Sequence, residues 1–216
     1  MNLYEALYTT RAMRRVRPDP VPADVTRLIL DAAVRSPSGG NTQNWRFVTV
    51  TDRATMAELA VLYTEAWEIL LSTVYAGRRE RAEETGDEQT MRVMRSSQWL
   101  ADHFADLPLV ILAYHRNDLS GASIYPAVWS MMLAARGRGV GSTLTTVLGI
   151  FRHAEVAALL SVPLDKGWTN AAVVTFGYPL GRWDVAVRRP VHEVVYEGAW
   201  GRPPSWTADG PVWSGE

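Results

Sequence analysis

The sequence contains no cysteine. Without cysteine the chain can form neither a disulfide nor a thiolate metal site, and it has no thiolate nucleophile. A cysteine-free chain suits a reducing compartment, and Met1–Leu7 lacks the basic and then apolar pattern of a signal peptide, so we expect a cytoplasmic protein. We also expect no membrane span, because the densest apolar stretches, 107–114 and 127–135, are far shorter than the ~20 residues that a span requires.

Charge of one sign is also scarce. The formal net charge is −1, so no overall field favours nucleic acid or an anionic membrane surface as a partner. The motifs of several enzyme classes are missing, among them a Walker loop, a zinc-protease histidine pair and a serine nucleophile elbow. The four histidines, His103, His115, His153 and His192, are far apart in the sequence, and we predict no metal site.

The apolar pattern predicts one α+β domain, 1–216, of helices with interspersed strands. Helices are predicted at about 2–8, 22–35, 54–84 (one or two helices), 90–103, 123–136 and 152–160, and strands at about 45–51, 107–114, 142–148 and 170–177. The buried stripe of the second helix is predicted to be Val25, Leu28, Ile29, Ala32 and Ala33. The helix at 123–136 is apolar nearly all round, which predicts burial in a core or against a second subunit.

Four arginines, Arg11, Arg14, Arg15 and Arg17, lie within seven positions. A solvated cationic turn is the simpler interpretation, although a turn requires fewer arginines. On a helical turn Arg11 and Arg14 would share a face, since residues three apart are neighbours there, and both guanidinium groups could contact one phosphate. The residues alone leave both interpretations open.

A loop of small and amide residues, 36–44, lies between the second helix and the first strand. So little side-chain bulk lets backbone N–H groups approach a flat polar ligand closely. Beside the arginine cluster, such a loop is suited to hold a phosphate and a polar ring together. Gly137, Gly139 and Gly141 are not a dinucleotide fingerprint, because they follow a helix and precede a strand.

Four stretches, in order, resemble the nitroreductase family of FMN-dependent oxidoreductases. Residues 10–21, Thr-Arg-Ala-Met-Arg-Arg-Val-Arg-Pro-Asp-Pro-Val, are similar to the family's opening Arg-Arg-Ser-x-Arg segment. Residues 36–45 are similar to its Ala-Pro-Ser-Gly-x-Asn-x-Gln-Pro-Trp loop, and 139–146 to its flavin-contacting stretch. The motifs Gly-Tyr-Pro, Arg-Arg-Pro and Trp-Gly between 177 and 201 are similar to its closing pattern. The first two stretches are the specific ones.

The resemblance implies an FMN cofactor and a nitroreductase-like fold, with a central, mainly antiparallel sheet flanked by helices. It implies a homodimer with the cofactor at the interface and an extended C-terminal arm, about 196–216, that embraces the partner subunit. The implied activity is ping-pong transfer of electrons from NAD(P)H through flavin N5 to a nitroaromatic, quinone or activated alkene. The acceptor would lie under a helical lid, about 61–104, which carries Trp67, Tyr75, Met91, Met94 and Trp99.

The resemblance also implies three groups of cofactor contacts: to the phosphate, to the ribityl chain and ring edge, and along the isoalloxazine. In that order, the groups are Arg11, Arg14 and Arg188; Pro37, Ser38 and Asn41; Leu144, Thr145 and Thr146. Thr145 and Thr146 are the candidate contacts to N5. No catalytic acid or base is expected, because the flavin itself carries the electrons.

Two further cofactor-binding positions depart from the family's opening motif. Thr10 stands where the family often has arginine, and Ala12 where it often has serine. Ala12 removes a hydroxyl donor, which is worth about 1 kcal/mol where such a donor is used. Thr10 offers a neutral hydrogen bond without a charge. We therefore expect weaker FMN retention than in a chain with both family residues.

Several alternatives stay open. Reductive dehalogenation of halotyrosines would need a Glu and, four residues later, a Tyr on the lid, whereas Ile69 follows Glu65 and Ser72 follows Glu68. Oxygen-dependent breakdown of the flavin to a cobamide base is compatible with the sequence. Outside enzymes, the alternatives are a non-catalytic FMN-binding or sensing protein and a small anion-binding helical dimer without flavin.

Overall fold

The computed structural model describes residues 1–213, whose contacts form two compact units, residues 12–182 and residues 1–11 with the chain from 183 onward. The larger unit contains four strands: β1 Trp45–Val50, β2 Leu109–His115, β3 Gly141–Thr145 and β4 Thr169–Gly177. They form an antiparallel sheet in the order β1-β2-β4-β3. Strands β2 and β3 run toward the end of the sheet where β1 and β4 begin. The predicted α+β fold with an antiparallel sheet is confirmed.

The helices follow the predicted positions closely. In the larger unit they are α2 Ala23–Val34, α3 Arg53–Ser72, α4 Arg78–Thr85, α5 Glu88–Asp102, α6 Ile124–Gly137, α7 Val147–Phe151 and α8 His153–Leu159. Asp52 and Asp87 cap α3 and α5, because their carboxylates accept the N–H groups of Thr55 and Thr90 at 2.8 and 3.0 Å. No helix within residues 1–213 is long and apolar enough to cross a membrane.

The sheet is buried on both faces, so each central strand reads as an unbroken apolar run. Along β2, Val110, Leu112 and Tyr114 face a core shared with α3, α5, α7 and α8. The alternate residues of β2, Leu109, Ile111 and Ala113, face a second core shared with α2 and α6. This layering explains why α6 is apolar on most sides: its inner face fills the second core.

Three local predictions were wrong. Val147 and Leu148 do not extend β3 but begin α7, since the Thr145 hydroxyl accepts the N–H of Val147 and the strand ladder ends there. Leu28 is 39% exposed, because it lies to one side of the stripe that α2 buries. Pro22 precedes α2 as its N-cap and is not its first helical residue.

The smaller unit contains α1, Leu3–Thr9, and the chain that follows 182. The N–H of Ala186 donates to the carbonyl of Tyr8 at 3.0 Å, and the rings of Tyr8 and Trp213 lie 5.4 Å apart. Trp200 is 91% exposed, with its ring 5.0 Å from that of Tyr196. Residues 214–216 of the predicted arm lie outside the described residues.

One core residue carries a testable cost. The Tyr114 hydroxyl is buried and has no hydrogen-bond partner within residues 1–213. Tyr114→Phe is therefore expected to raise the free energy of unfolding by about 1 kcal/mol at neutral pH. Tyr125→Phe is the matched control and is expected to lower it by a similar amount, because the Tyr125 hydroxyl donates to the Ala171 carbonyl at 3.3 Å.

The same residue predicts a pH dependence. Burial raises the pKa of Tyr114 to about 12, whereas a phenol in the unfolded chain has a pKa of about 10. The unfolded state therefore loses this proton first, and stability that is present below pH ~10 is lost as the pH rises toward ~12. Urea titrations across this range are expected to show a shallower decline for Tyr114→Phe; an unchanged slope would contradict the assignment.

Candidate functional site

The opening motif does not continue α1. That helix ends at Thr9, and Ala12 forms a parallel bridge with Ser142 of β3. The N–H that follows Ala12 donates to the Ser142 carbonyl at 2.9 Å. The prediction that Arg11 and Arg14 share a helical face is therefore wrong, because pairing with β3 replaces the next helical turn.

Arg14 is the half-buried member of the arginine cluster. Its guanidinium lies near the phenols of Tyr63 and Tyr75; burial lowers the pKa of Arg14, and these phenols act in the opposite direction. None of the ion pairs within residues 1–213 includes Arg14. Because a cation withdrawn from water without a counter-ion is unfavourable, this position is suited to an anion that a ligand supplies.

Thr145, at the end of β3, shares a neighbour with Arg14. The buried phenol of Tyr63 in α3 hydrogen-bonds the Thr145 hydroxyl and also interacts with the Arg14 charge. Burial raises the pKa of Tyr63 and outweighs both of these contacts. The structure thus places Arg14 and Thr145 beside one phenol, although they are far apart in the sequence.

The other predicted residues of this region also lie along β3. Ala12 is exposed, Leu144 is 37% exposed, and Thr146 is half-buried directly before α7. Their accessible surfaces, together with Arg14 and Thr145, form one group, which we call the β3 group: Ala12, Arg14, Leu144, Thr145 and Thr146.

The small-residue loop has the open backbone that its composition predicts. Gly40, Asn41 and Gln43 have positive φ angles of 56, 52 and 50°, so three nearby residues adopt left-handed conformations. The Ser38 hydroxyl accepts the N–H of Gln43 at 3.2 Å, and the Asn41 carbonyl oxygen accepts from the Gln43 amide at 3.0 Å. Pro37 and Ser38 line a polar cavity of about 430 Å³.

Within one chain, the loop residues Pro37, Ser38 and Asn41 are separated from the β3 group. The loop leads into β1, and β1 and β3 are the two outer strands of the sheet. Three strand spacings lie between them, about 14 Å. A ligand that touches both groups must therefore span the sheet or lie between two copies of the chain.

The remaining predicted residues, Thr10, Arg11 and Arg188, belong to the smaller unit. The Thr10 hydroxyl is buried and without a hydrogen-bond partner in the described chain. The Arg11 guanidinium lies 3.7 Å from the Asp184 carboxylate, and the exposed Arg188 donates to the carbonyl of Val187 at 2.8 Å.

The lid region contains a cavity of about 600 Å³. The five lid residues singled out in the sequence all line it: Trp67, Tyr75, Met91, Met94 and Trp99. The Trp67 indole N–H donates to the Gln98 side chain at 2.8 Å, which ties α3 to α5 across the cavity. The lid thus contains an aromatic and thioether-lined space of the size of a small-ligand site.

Sequence reasoning missed Tyr63 and Ser142. Tyr63 lies on the buried stripe of α3 with Met56, Leu59 and Ala66, and this helical spacing could have identified it as an inward-facing phenol. No local signal marks Ser142, because its burial depends on the distant segment around residue 12. Residues 1–213 contain no group of three or more His, Asp or Glu side chains arranged to hold a metal ion.

Comparison with known proteins agrees with this architecture. The chain is 31% identical over 194 residues to an NADH dehydrogenase of Thermus thermophilus, covering 86% of this chain and 90% of that protein. It is 26% identical to an iodotyrosine deiodinase of Thermotoga neapolitana, covering 89% and 95% of the two chains. A solved nitroreductase with bound FMN from Bacteroides fragilis matches the fold with a TM-score of 0.63 and 21% identity, covering 88% and 96%.

The model of one protein family matches most of the chain. It is described as the nitroreductase family, and the match covers residues 7–178, which include the opening motif, the small-residue loop and all four strands. On this match and on the Thermus thermophilus relative, the chain belongs to the nitroreductase family.

Proposed function

We propose that this chain is an FMN-dependent oxidoreductase. It passes electrons from NAD(P)H to an electron-poor acceptor, such as a nitroaromatic, a quinone or an activated alkene, in two alternating half-reactions. The observation that carries the proposal is the half-buried Arg14, which no carboxylate within residues 1–213 neutralises. A phosphate supplies the missing charge and accepts two parallel hydrogen bonds from one guanidinium.

The polar groups of the chain fit FMN. Arg14 would hold the phosphate, with Arg11 and Arg188 as further contacts from the smaller unit. Pro37, Ser38 and Asn41 would contact the ribityl chain and the ring edge, and Leu144, Thr145 and Thr146 would lie along the ring. When bound, FMN supplies a ring that accepts and returns two electrons, so the protein itself contributes position, charge and access.

We also propose that the active form is a homodimer. Helices α2 and α6 pack against each other, and each keeps large apolar side chains on its outer face: Leu28 and Val34 on α2, Tyr125 and Trp129 on α6, all between 39% and 44% exposed. A second copy would cover this surface and would bring its loop to the β3 group. The C-terminal arm, with its exposed Trp200, is proposed to contact the same partner.

The acceptor is proposed to bind in the lid cavity. Met94→Trp, which fills this cavity, is expected to raise the KM of a two-ring quinone about tenfold, and that of benzoquinone less, because only the larger ring needs the whole space. Val93→Trp is the matched control on an exposed position of the same helix. Equal effects of the two variants on both quinones would place the acceptor elsewhere.

The enzymatic alternatives make different use of the same fold. Deiodination is disfavoured, because the Glu65 carboxylate pairs with Arg152 at 2.9 Å and no tyrosine follows it on the lid. Breakdown of the flavin is separated by an aerobic incubation with reductant: in that case the flavin absorption does not return when the reductant is exhausted.

The test of the proposed function is an anaerobic titration. FMN-loaded protein is mixed with NADH or NADPH, and the flavin absorption band is followed. Bleaching by either donor, and recovery on addition of a quinone, is the expected result. No bleaching with either donor favours a non-catalytic FMN-binding protein, and a colourless protein that takes up no FMN contradicts the flavin assignment altogether.

A further inference from the structure

Ser142 presents a buried hydroxyl that the fold does not use. The residue is 2% exposed, and its side-chain oxygen has no hydrogen-bond partner within residues 1–213. Its backbone, in contrast, is engaged: it pairs with Phe176 across β3 and β4, and its carbonyl accepts the N–H of Met13. Buried hydroxyls without a partner are rare in native proteins and call for an explanation, such as a ligand.

The neighbour of Ser142 is the position where a hydroxyl is missing. Ala12 forms the parallel bridge with Ser142, and residues paired in this way project their side chains to the same side, about 5 Å apart. The next residue, Met13, points inward, since a Cβ placed on Gly141 would lie 2.8 Å from the Met13 Cβ. The Ser142 hydroxyl and the exposed methyl of Ala12 thus lie side by side.

We propose that the Ser142 hydroxyl donates a hydrogen bond to the phosphate of FMN and takes the place of the donor that Ala12 lacks. This inference rests on the proposed function. Arg14, two residues beyond Ala12, supplies the positive charge that makes the anionic end of the ligand the expected acceptor. The unpaired state of this hydroxyl in the protein alone then has a physical reason, because its partner arrives with the cofactor.

Thr143 provides a matched control. It is 1% exposed, and its hydroxyl also has no partner in the described chain. Because successive strand residues point to opposite faces, Thr143 faces away from Ala12. Removing either hydroxyl is therefore expected to relieve an unpaired buried group, but only the change at Ser142 is expected to affect the cofactor.

The experiment compares Ser142→Ala and Thr143→Val in two measurements. Both apoproteins are expected to melt about 2–4 °C higher than the parent chain. The FMN dissociation constant, from fluorescence titration, is expected to rise about tenfold in Ser142→Ala and to stay within about twofold in Thr143→Val. Riboflavin, which lacks the phosphate, is expected to bind Ser142→Ala and the parent equally.

A rescue variant sharpens the test. Ala12→Ser is expected to add less than about twofold to the FMN affinity of the parent chain but to restore most of the loss in Ser142→Ala, since either residue can then supply the donor. Ser142→Cys, a near-isosteric weak donor, serves if Ser142→Ala does not fold, with a similar loss expected.

The outcomes separate cleanly. An unchanged FMN affinity in Ser142→Ala, with the apoprotein stabilised, overturns the inference and leaves the proposed function intact. An equal loss for FMN and riboflavin also overturns it, because the contact is then to the ribityl chain. A parent chain that binds no FMN contradicts the proposed function itself, and the inference falls with it.

Discussion

Arg14→Gln is expected to weaken FMN binding about 30-fold to 100-fold, or by roughly 2–3 kcal/mol. The reason is the environment of this guanidinium: it is withdrawn from water, it lies near two neutral phenols, and it pairs with no carboxylate within residues 1–213. Its charge is therefore available to a ligand and only weakly screened. Fluorescence titration of the apoprotein with FMN measures the effect.

Two further variants isolate the geometry of that contact. Arg17→Gln removes the same charge from the same cluster, but the exposed Arg17 already pairs with Asp19 at 3.1 Å, so we expect less than a twofold change in FMN affinity. Arg14→Lys keeps the charge and loses the planar fork, and an intermediate loss is expected. Equal losses for Arg14→Gln and Arg17→Gln would mean that only the overall charge of the segment matters.

The apoprotein of Arg14→Gln is expected to be as stable as the parent chain or more stable. Removing a partly desolvated cation relieves an unfavourable burial, while no ion pair is lost. Stability and cofactor affinity thus change independently or in opposite directions, and urea denaturation of the apoprotein measures the first of them. A substantial loss of stability would show that Arg14 has a structural role.

Gly177→Ala is expected to lower the free energy of unfolding by about 2 kcal/mol. A Cβ at this position would lie 2.7 Å from the Val16 Cγ2, 2.8 Å from the Val16 Cβ and 3.2 Å from the Pro108 Cγ. Val16 is buried and bridges Pro179, so it can move only with the segment that carries Arg14. We therefore expect a severalfold weaker FMN affinity as well.

Gly181→Ala is the control for this substitution. No heavy atom lies within 4 Å of a Cβ built there, and the backbone has no positive φ, so we expect a neutral or slightly stabilising effect from the lower entropy of the unfolded chain. Urea midpoints of the two variants compare them directly. A Gly177→Ala chain as stable as Gly181→Ala would show that Val16 moves without cost.

Local pattern predicted the elements well. The 3.6-residue spacing located α2, and the capping carboxylate of Asp87 precedes the break that separates α4 from α5. The pattern failed where a distant group ends an element. Val147 and Leu148 are as β-prone as the residues before them, but the hydroxyl of Thr145 turns the chain into α7.

The candidate site was predictable in composition but not in arrangement. The arginine cluster, the small-residue loop and the threonines after the glycines are visible in the sequence. Their grouping is not, because Arg14 reaches Thr145 only through Tyr63, a residue on another helix. Arg11 and Arg14 looked like a pair on one helical face until the bridge between Ala12 and Ser142 removed that helical turn.

The sequence by itself determined the secondary structure, the absence of thiol chemistry and the motifs of the nitroreductase family, since each depends on residue identity or on neighbours within a few positions. Only the tertiary structure decided that β1 and β3 are the outer strands, that Arg14 lacks a counter-ion and that the Ser142 hydroxyl is buried unpaired. Strand order and burial depend on contacts between residues far apart in the chain, and the free energy of those contacts is a property of the packed whole.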